Sequence, residues 1–350
     1  MSRLTTRTAA VAAATLLSVA GLAAAPLVSA PEASAQSEIV GPVPQPNHPW
    51  LGDQPHIVDS EDLGGGMTRV HVWSPANHAI VANDVLSPGG NQQRPTFYLL
   101  PGVKGSMIPS DFGWDKNTNV REFFRGKNVN VVMPIGGPNS AWTDWDHPDP
   151  VLGINKWNTY MSTELPGLID GMFHGTGRDA IGGLSSTGGA ALDIAMHAPE
   201  RYRAAASYSG CPVRSGPVGL AGAGVVMTTG GGNPFNAWGA PWSPSWPDHD
   251  PNWNPGRMGD IKVFVSSGSG VPGPVDEPEN LPNDGLGLWG GPAAVEGMVN
   301  ACTEMYANNA RAAGVDVNRY YMPQGSHSFP LFGHSMEESW NQTIAGAIGA

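Results

Sequence analysis

Apolar residues recur along this chain in short runs. Those at Met67 to Trp73, Thr96 to Leu100, Val129 to Ile135, Asp179 to Leu184, Ala204 to Tyr208, Ile261 to Val265 and Val317 to Met322 have the length and density of buried strands. Between them the apolar spacing turns helical, at Asn117 to Arg125, Lys156 to Phe173, Ser186 to His197, Ala293 to Ala313 and Ser335 to Ile348. Strand and helix alternate, and parallel strands require such crossovers. The pattern therefore predicts an α/β fold with a mostly parallel central sheet covered by helices on both faces. Two stretches break the rhythm. Gln36 to Gly66 is rich in Pro and Gly and is expected to wrap the surface ahead of a first strand opening at Met67. Residues 221–256 hold Trp238, Trp242, Trp246 and Trp253 among Gly, Pro and Asn, and read as a long excursion over the sheet's edge.

The N-terminus follows another logic. Arg3 and Arg7 precede an apolar Ala/Leu/Val run that gives way to the small residues Ala33, Ser34 and Ala35, the pattern of a secretory signal peptide over residues 1–35. Gly21 and Pro26 argue against an anchoring helix, and no later stretch reaches the roughly 18 apolar residues of a membrane span.

Composition narrows the picture. With 40% hydrophobic and 14% charged residues among 350, the chain can bury a sizeable core and is no disordered acidic tail. Its net charge is −12, and losing Arg3, Arg7 and Glu32 with the leader makes it −13, so nucleic acid is a poor partner. Cys211 and Cys302 are the only cysteines. In an oxidising compartment they are expected to form one disulfide, whose connectivity is unique. No CxxC or HExxH spacing occurs, and two distant cysteines are too few for a metal centre.

Candidate chemistry begins with a rejection. Gly268, Gly270 and Gly273 follow a strand as a dinucleotide fingerprint would, but Pro272 and Pro274 stand where a helix should offer N–H groups to a pyrophosphate, so this is a loop. A better signal is Asp179-Ala-Ile-Gly-Gly-Leu-Ser185-Ser-Thr-Gly-Gly, where a strand turns at a serine straight into a helix. That is the outline of a nucleophile elbow, with Gly183, Gly188 and Gly189 supplying the small neighbours and Thr187 replacing the second glycine of G-x-S-x-G. A helix N-cap explains Ser185 or Ser186 equally well.

A serine becomes nucleophilic only when a base takes its proton and an acid orients that base. His327, in a Gly/Ser loop after the last strand, is the candidate base; Glu296, Asp276, Glu277 and Glu279 are candidate acids. Any of these acids gives the order nucleophile, acid, base of the α/β-hydrolase fold. An oxyanion hole needs two preorganised N–H donors. Ser186, at the helix start, offers one, and the turn near Gly102 is placed to offer the other.

These residues carry a resemblance. The blocks Tyr98-Leu-Leu-Pro-Gly-Val-Lys104, Gly113-Trp-Asp-Lys-Asn-Thr118, Val132-Met-Pro-Ile-Gly-Gly137, Thr143-Asp-Trp145, Glu164-Leu-Pro166, Gly183-Leu-Ser185, Val295-Glu-Gly297 and Gly325-Ser-His-Ser-Phe-Pro330 make the chain, from about Pro49 onward, resemble the secreted mycolyltransferases of the antigen 85 type. The resemblance implies one α/β-hydrolase domain over residues 36–350 and a triad of Ser185, Glu296 and His327. It also implies oxyanion donors at the backbone of Val103 and Ser186, and sugar binding near Lys104, Ser328 and Phe329. The implied partners are trehalose mycolates and a cell-wall glycan such as arabinogalactan; no cofactor is implied, and the location is extracellular or in the envelope. Where the family has Asp-Gly-Leu-Arg, this chain has Pro101-Gly-Val-Lys104, so an acid is absent and a guanidinium fork has become a point charge, which should weaken trehalose recognition. The Cys211 and Cys302 pair points to a non-mycobacterial lineage. A carboxylesterase of the same fold, or a surface adhesin whose site has lapsed, is the competing expectation.

Overall fold

The wholly buried run Phe97 to Leu100 lies between two neighbours in a sheet covered on both faces, and its alternate side chains enter different cores. Tyr98 and Leu100 join one apolar cluster, Phe97 and Leu99 the other. That period of two is what a central strand must show. The computed structural model describes residues 42–44, 51–106, 113–276 and 291–350.

Its strands are β1 (Val43–Pro44), β2 (His56–Gly64), β3 (Met67–Ser74), β4 (Ala79–Leu86), β5 (Thr96–Leu100), β6 (Asn130–Ile135), β7 (Asp179–Leu184), β8 (Tyr202–Tyr208), β9 (Lys262–Gly268) and β10 (Val317–Met322). They form one sheet in the order β10-β9-β8-β7-β5-β6-β4-β3-β2, with β1 pairing to β4. Strands β5 to β10 are parallel, and β2, β3 and β4 extend the sheet antiparallel beyond β6.

Among the helices, α1 (Val120–Phe124), α2 (Leu165–Phe173), α3 (Gly188–His197), α4 (Gly216–Thr229), α5 (Pro292–Ala312) and α6 (Phe329–Ser339) bear on the site. Leu165, Leu192, Ile194 and Tyr306 cover one face of the sheet; Phe124, Phe332, Met336 and Trp340 cover the other. The mostly parallel, doubly covered sheet is the architecture expected from the sequence. Register sets the ends level: Leu100 pairs with Gly183, Gly183 with Ser207, Ser207 with Val265 and Met322 with Gly268. The turns leaving β5, β7, β8, β9 and β10 therefore open side by side at the carboxyl edge, where ligands of such sheets bind.

Several elements differ from the sequence reading. The region before Met67 is not all wrapping, because His56–Gly64 pairs with β3 as the outermost strand. Its Asp59, Glu61 and Asp62 are exposed, so no apolar run marks it. Strand β4 was missed because Asn83 and Asp84 interrupt it; Asn83 bonds Tyr160 Oη, and Asp84 pairs with Arg69. Helix α6 begins at Phe329, not Ser335, with Pro330 in the first turn, where its missing N–H is not needed. The stretch 221–256 opens as the end of α4, and Trp238 and Trp246 are buried against Ala141, Trp145 and Met227. Among the described residues no helix is long and apolar enough to cross a membrane.

Candidate active site

Ser185 stands at the sharp turn between β7 and α3 with φ +55°. That left-handed conformation is costly for a residue with a Cβ, and such strain persists where the surroundings impose it. Here they do: a Cβ on Gly183 would lie 2.2 Å from the Thr187 carbonyl oxygen, and one on Gly188 2.8 Å from Gly210 Cα. Thr187 is buried and its hydroxyl donates to the Leu184 carbonyl at 3.0 Å, tightening the turn at the position the second glycine would take.

His327 Nε2 lies 2.8 Å from Ser185 Oγ, and His327 Nδ1 lies 2.7 Å from Glu296 Oε2. An ionised carboxylate can only accept, so Nδ1 carries the proton and Nε2 is left to accept from the serine hydroxyl. Glu296 is 0% exposed, on the first turns of α5. Its Oε1 accepts from Ser209 Oγ at 2.8 Å and from the Gly268 N–H at 2.6 Å, so both oxygens are satisfied despite full burial. The ring of Phe332 packs edge-on against the imidazole at 4.9 Å. A hydroxyl, an imidazole and a fixed carboxylate in this sequence can move a proton off the hydroxyl as it attacks an ester carbonyl.

This chain opens on a cavity of about 290 Å³ whose lining includes Val103, Ser186, Val226 and Val299. Both backbone positions expected to supply oxyanion donors thus border the same space as Ser185 and His327. One wall is α4, built of Ala221, Gly222, Ala223, Val225 and Val226; the opposite wall is the start of α5, with Val295 and Met298. The apolar surface continues outside, since Val225 is 54% and Met298 59% exposed. The buried Arg214 closes the remaining side, with Nη1 donating to Asp193 on α3 at 2.7 Å and Nη2 to the Ala141 carbonyl at 2.8 Å.

The other sequence-marked residues lie elsewhere. Lys104 is exposed and outside this lining. Phe329 borders a separate depression of about 540 Å³ with Lys116, Asn117, His334 and Glu337. Ser328 Oγ donates to Asp276 at 2.7 Å. Asp276, a competing acid, is bound to the residues on either side of His327, while Glu277 and Glu279 lie outside the described residues, as does the segment 1–35. Cys211 and Cys302 form the expected disulfide. Sequence reasoning missed Ser209 and Arg214, which carried no signal beyond following a strand.

A mostly parallel sheet with a strained serine between a central strand and its following helix has the α/β-hydrolase fold. The chain belongs to the esterase family described as "Putative esterase", which matches residues 81–349. It is 30% identical over 271 residues to the diacylglycerol acyltransferase/mycolyltransferase Ag85A of Mycobacterium tuberculosis, covering 75% of this chain and 76% of the relative. To Ag85C of Mycobacterium avium it is 31% identical over 257 residues, 71% of this chain and 67% of the relative. Among solved structures, Mycobacterium tuberculosis MPT51 superposes with a TM-score of 0.66 at 23% identity, covering 83% of this chain and 99% of that one. An S-formylglutathione hydrolase from Agrobacterium tumefaciens gives 0.56 at 15%, covering 82% and 97%. These two share the fold.

Proposed function

We propose that this protein is an exported mycolyltransferase that carries a long acyl group on Ser185 from a trehalose ester to a second sugar hydroxyl. The observation that carries the proposal is the unbroken chain Ser185, His327, Glu296 opening onto an apolar cavity. The mycolyltransferase names of the Ag85A and Ag85C relatives support the acyl class.

In the first half-reaction, Ser185 Oγ attacks the ester carbonyl as Nε2 of His327 takes its proton. The oxyanion forms beside the backbone N–H groups of Val103 and Ser186, near the positive end of α3. The imidazolium, steadied by Glu296, returns the proton to the departing sugar oxygen, which leaves as an alcohol. In the second half-reaction His327 takes the proton of an acceptor hydroxyl as that oxygen attacks the acyl-enzyme, and the imidazolium returns the proton to Ser185 Oγ as the acyl bond breaks. Every proton passes through His327, so the cycle closes without a cofactor. The acceptor sugar would approach from outside the apolar cavity, whose lining holds His327 but not Lys104, Ser328 or Phe329. Exported location follows from the leader-like pattern of residues 1–35.

Water attacks the same intermediate, so transfer wins only if the acceptor is held near it, where effective molarities reach roughly 10⁵ M or more. The test is to load the purified protein with a trehalose acyl ester and separate products in the presence of trehalose, glucose and an arabinan. New sugar esters, lost in Ser185→Ala, support transfer. Free acid alone makes the protein a carboxylesterase.

A further inference from the structure

The loop between Gly268 and Asp276 touches both ends of the proton-carrying pair. At its start the Gly268 N–H holds the carboxylate of Glu296. Two backbone bonds then join it to the loop after β10, from Gly270 N–H to the Gly325 carbonyl at 2.9 Å and from Gly325 N–H to the Val271 carbonyl at 2.7 Å. At its end stands Asp276, 5% exposed. Its Oδ1 accepts from Ser326 Oγ and Ser328 Oγ, each at 2.7 Å, the Ser326 N–H lies 3.1 Å from Oδ2, and Oδ2 also accepts from the Gly273 N–H at 2.9 Å.

Resting on the catalytic reading above, we infer that Asp276 is a positioning residue that fixes the imidazole of His327 by gripping the residues before and after it. The four donors named are neutral, and burying a carboxylate among neutral groups is costly. A neutral acceptor would hold the same turn at less cost. What the charge adds is bond strength, since hydrogen bonds to an ionised acceptor are shorter and about twice as strong as neutral ones. That stiffness matters where it is applied. His327 lies on a loop rather than on a helix or strand, yet must meet Ser185 on one side and Glu296 on the other, and a displacement of about 1 Å at a reacting group can cost on the order of 10²-fold in rate. Ser328, on this account, serves the base through its hydroxyl bond to Asp276.

Asp276→Asn keeps the shape and one acceptor but sets an NH₂ group against N–H donors. The expected result is a fall in kcat on the order of 10²-fold, with KM for a simple ester within about twofold of wild type. The rate at which a fluorophosphonate labels Ser185 should fall by the same factor, because labelling and turnover both need the base. Ser328→Ala, which leaves the carboxylate its other donors, should lose a few-fold in both rates. Wild-type turnover and labelling in Asp276→Asn overturns the inference, and so does a raised KM with unchanged kcat, which makes the loop a substrate contact. If Asp276→Asn does not fold, Ser326→Ala and Ser328→Ala decide, and unchanged labelling in both overturns the inference equally. Retained turnover in Ser185→Ala instead defeats the catalytic reading, whatever Asp276 does.

Discussion

Cys211 and Cys302, 91 residues apart in sequence, are joined with their Cα atoms 5.0 Å apart, tying the loop after β8 to α5 two turns beyond Glu296. Closing a loop of that length removes unfolded-state entropy worth about 4 to 5 kcal/mol in the chain-entropy model. Cys211 lines the cavity and follows Ser209, which bonds Glu296, so the bond braces the acid as well as the fold. Reduction is expected to lower Tm and to lower turnover below the unfolding temperature. Two free thiols by intact mass in protein purified without reductant refute the linkage.

Substitution at Ser185 separates activity from stability. Ser185→Ala should cost several orders of magnitude in turnover, since the binding groups and oxyanion donors alone leave only a residue of catalysis. Ser185→Gly should be equally inactive yet more stable by about 1 kcal/mol, because glycine adopts φ +55° without the Cβ penalty. Chemical denaturation of the two variants checks this; equal midpoints mean the turn is not strained.

The cavity sets a chain-length profile. With p-nitrophenyl esters of increasing length, kcat/KM should rise about fourfold per methylene, the equivalent of about 0.8 kcal/mol, while the added group enters the enclosed space. Once the 290 Å³ is filled the slope should fall, because further methylenes meet only half-exposed side chains such as Val225 and Met298. Val226→Trp should move the break to shorter chains. A profile without a break places the acyl chain elsewhere.

The charge cluster behind the cavity gives a pH dependence. Burial lowers the affinity of His197 for a proton, but hydrogen bonds and the charge of Asp193 outweigh it and hold the imidazole at about 8. A raised histidine value contributes stability that is complete below its unfolded value near 6.5 and is lost as pH rises through 8. At this partly solvated site screening leaves a loss of about 1 kcal/mol over that window. Denaturation at pH 6 and pH 9 measures it, and His197→Gln should flatten the difference.

Acceptor choice can be probed at Lys104. Pro101 is buried, so an aspartate there would bring an unpaired carboxylate into the core, whereas Lys104 is exposed and open to exchange. Lys104→Arg should raise transfer to trehalose by no more than about fivefold, the worth of a solvent-screened contact of about 1 kcal/mol, and leave ester hydrolysis unchanged. An unchanged trehalose rate removes Lys104 from the acceptor site.

How far the sequence reveals this molecule depends on whether a signal is local. Strands β5 to β10 were legible because most are apolar on both faces, and Ser185 because Gly183 and Gly188 crowd its turn. Strand β2 was not, since an edge strand carrying Asp59 and Glu61 in water has no period to read. In β4, Asn83 and Asp84 look like a turn until Tyr160 and Arg69 arrive from elsewhere. Ser209 and Arg214 were silent for the same reason, since each earns its place only by a bond across the fold, and Asp276 stood out as a candidate acid although its bonds go to Ser326 and Ser328.

The order of the reactive residues along the chain has a consequence for synthesis. Ser185 and its elbow are synthesised 142 residues ahead of His327, the base of the proposed mechanism. On that mechanism a growing chain carries an unactivated hydroxyl until the segment from β10 to α6, with His327 between them, has joined the fold.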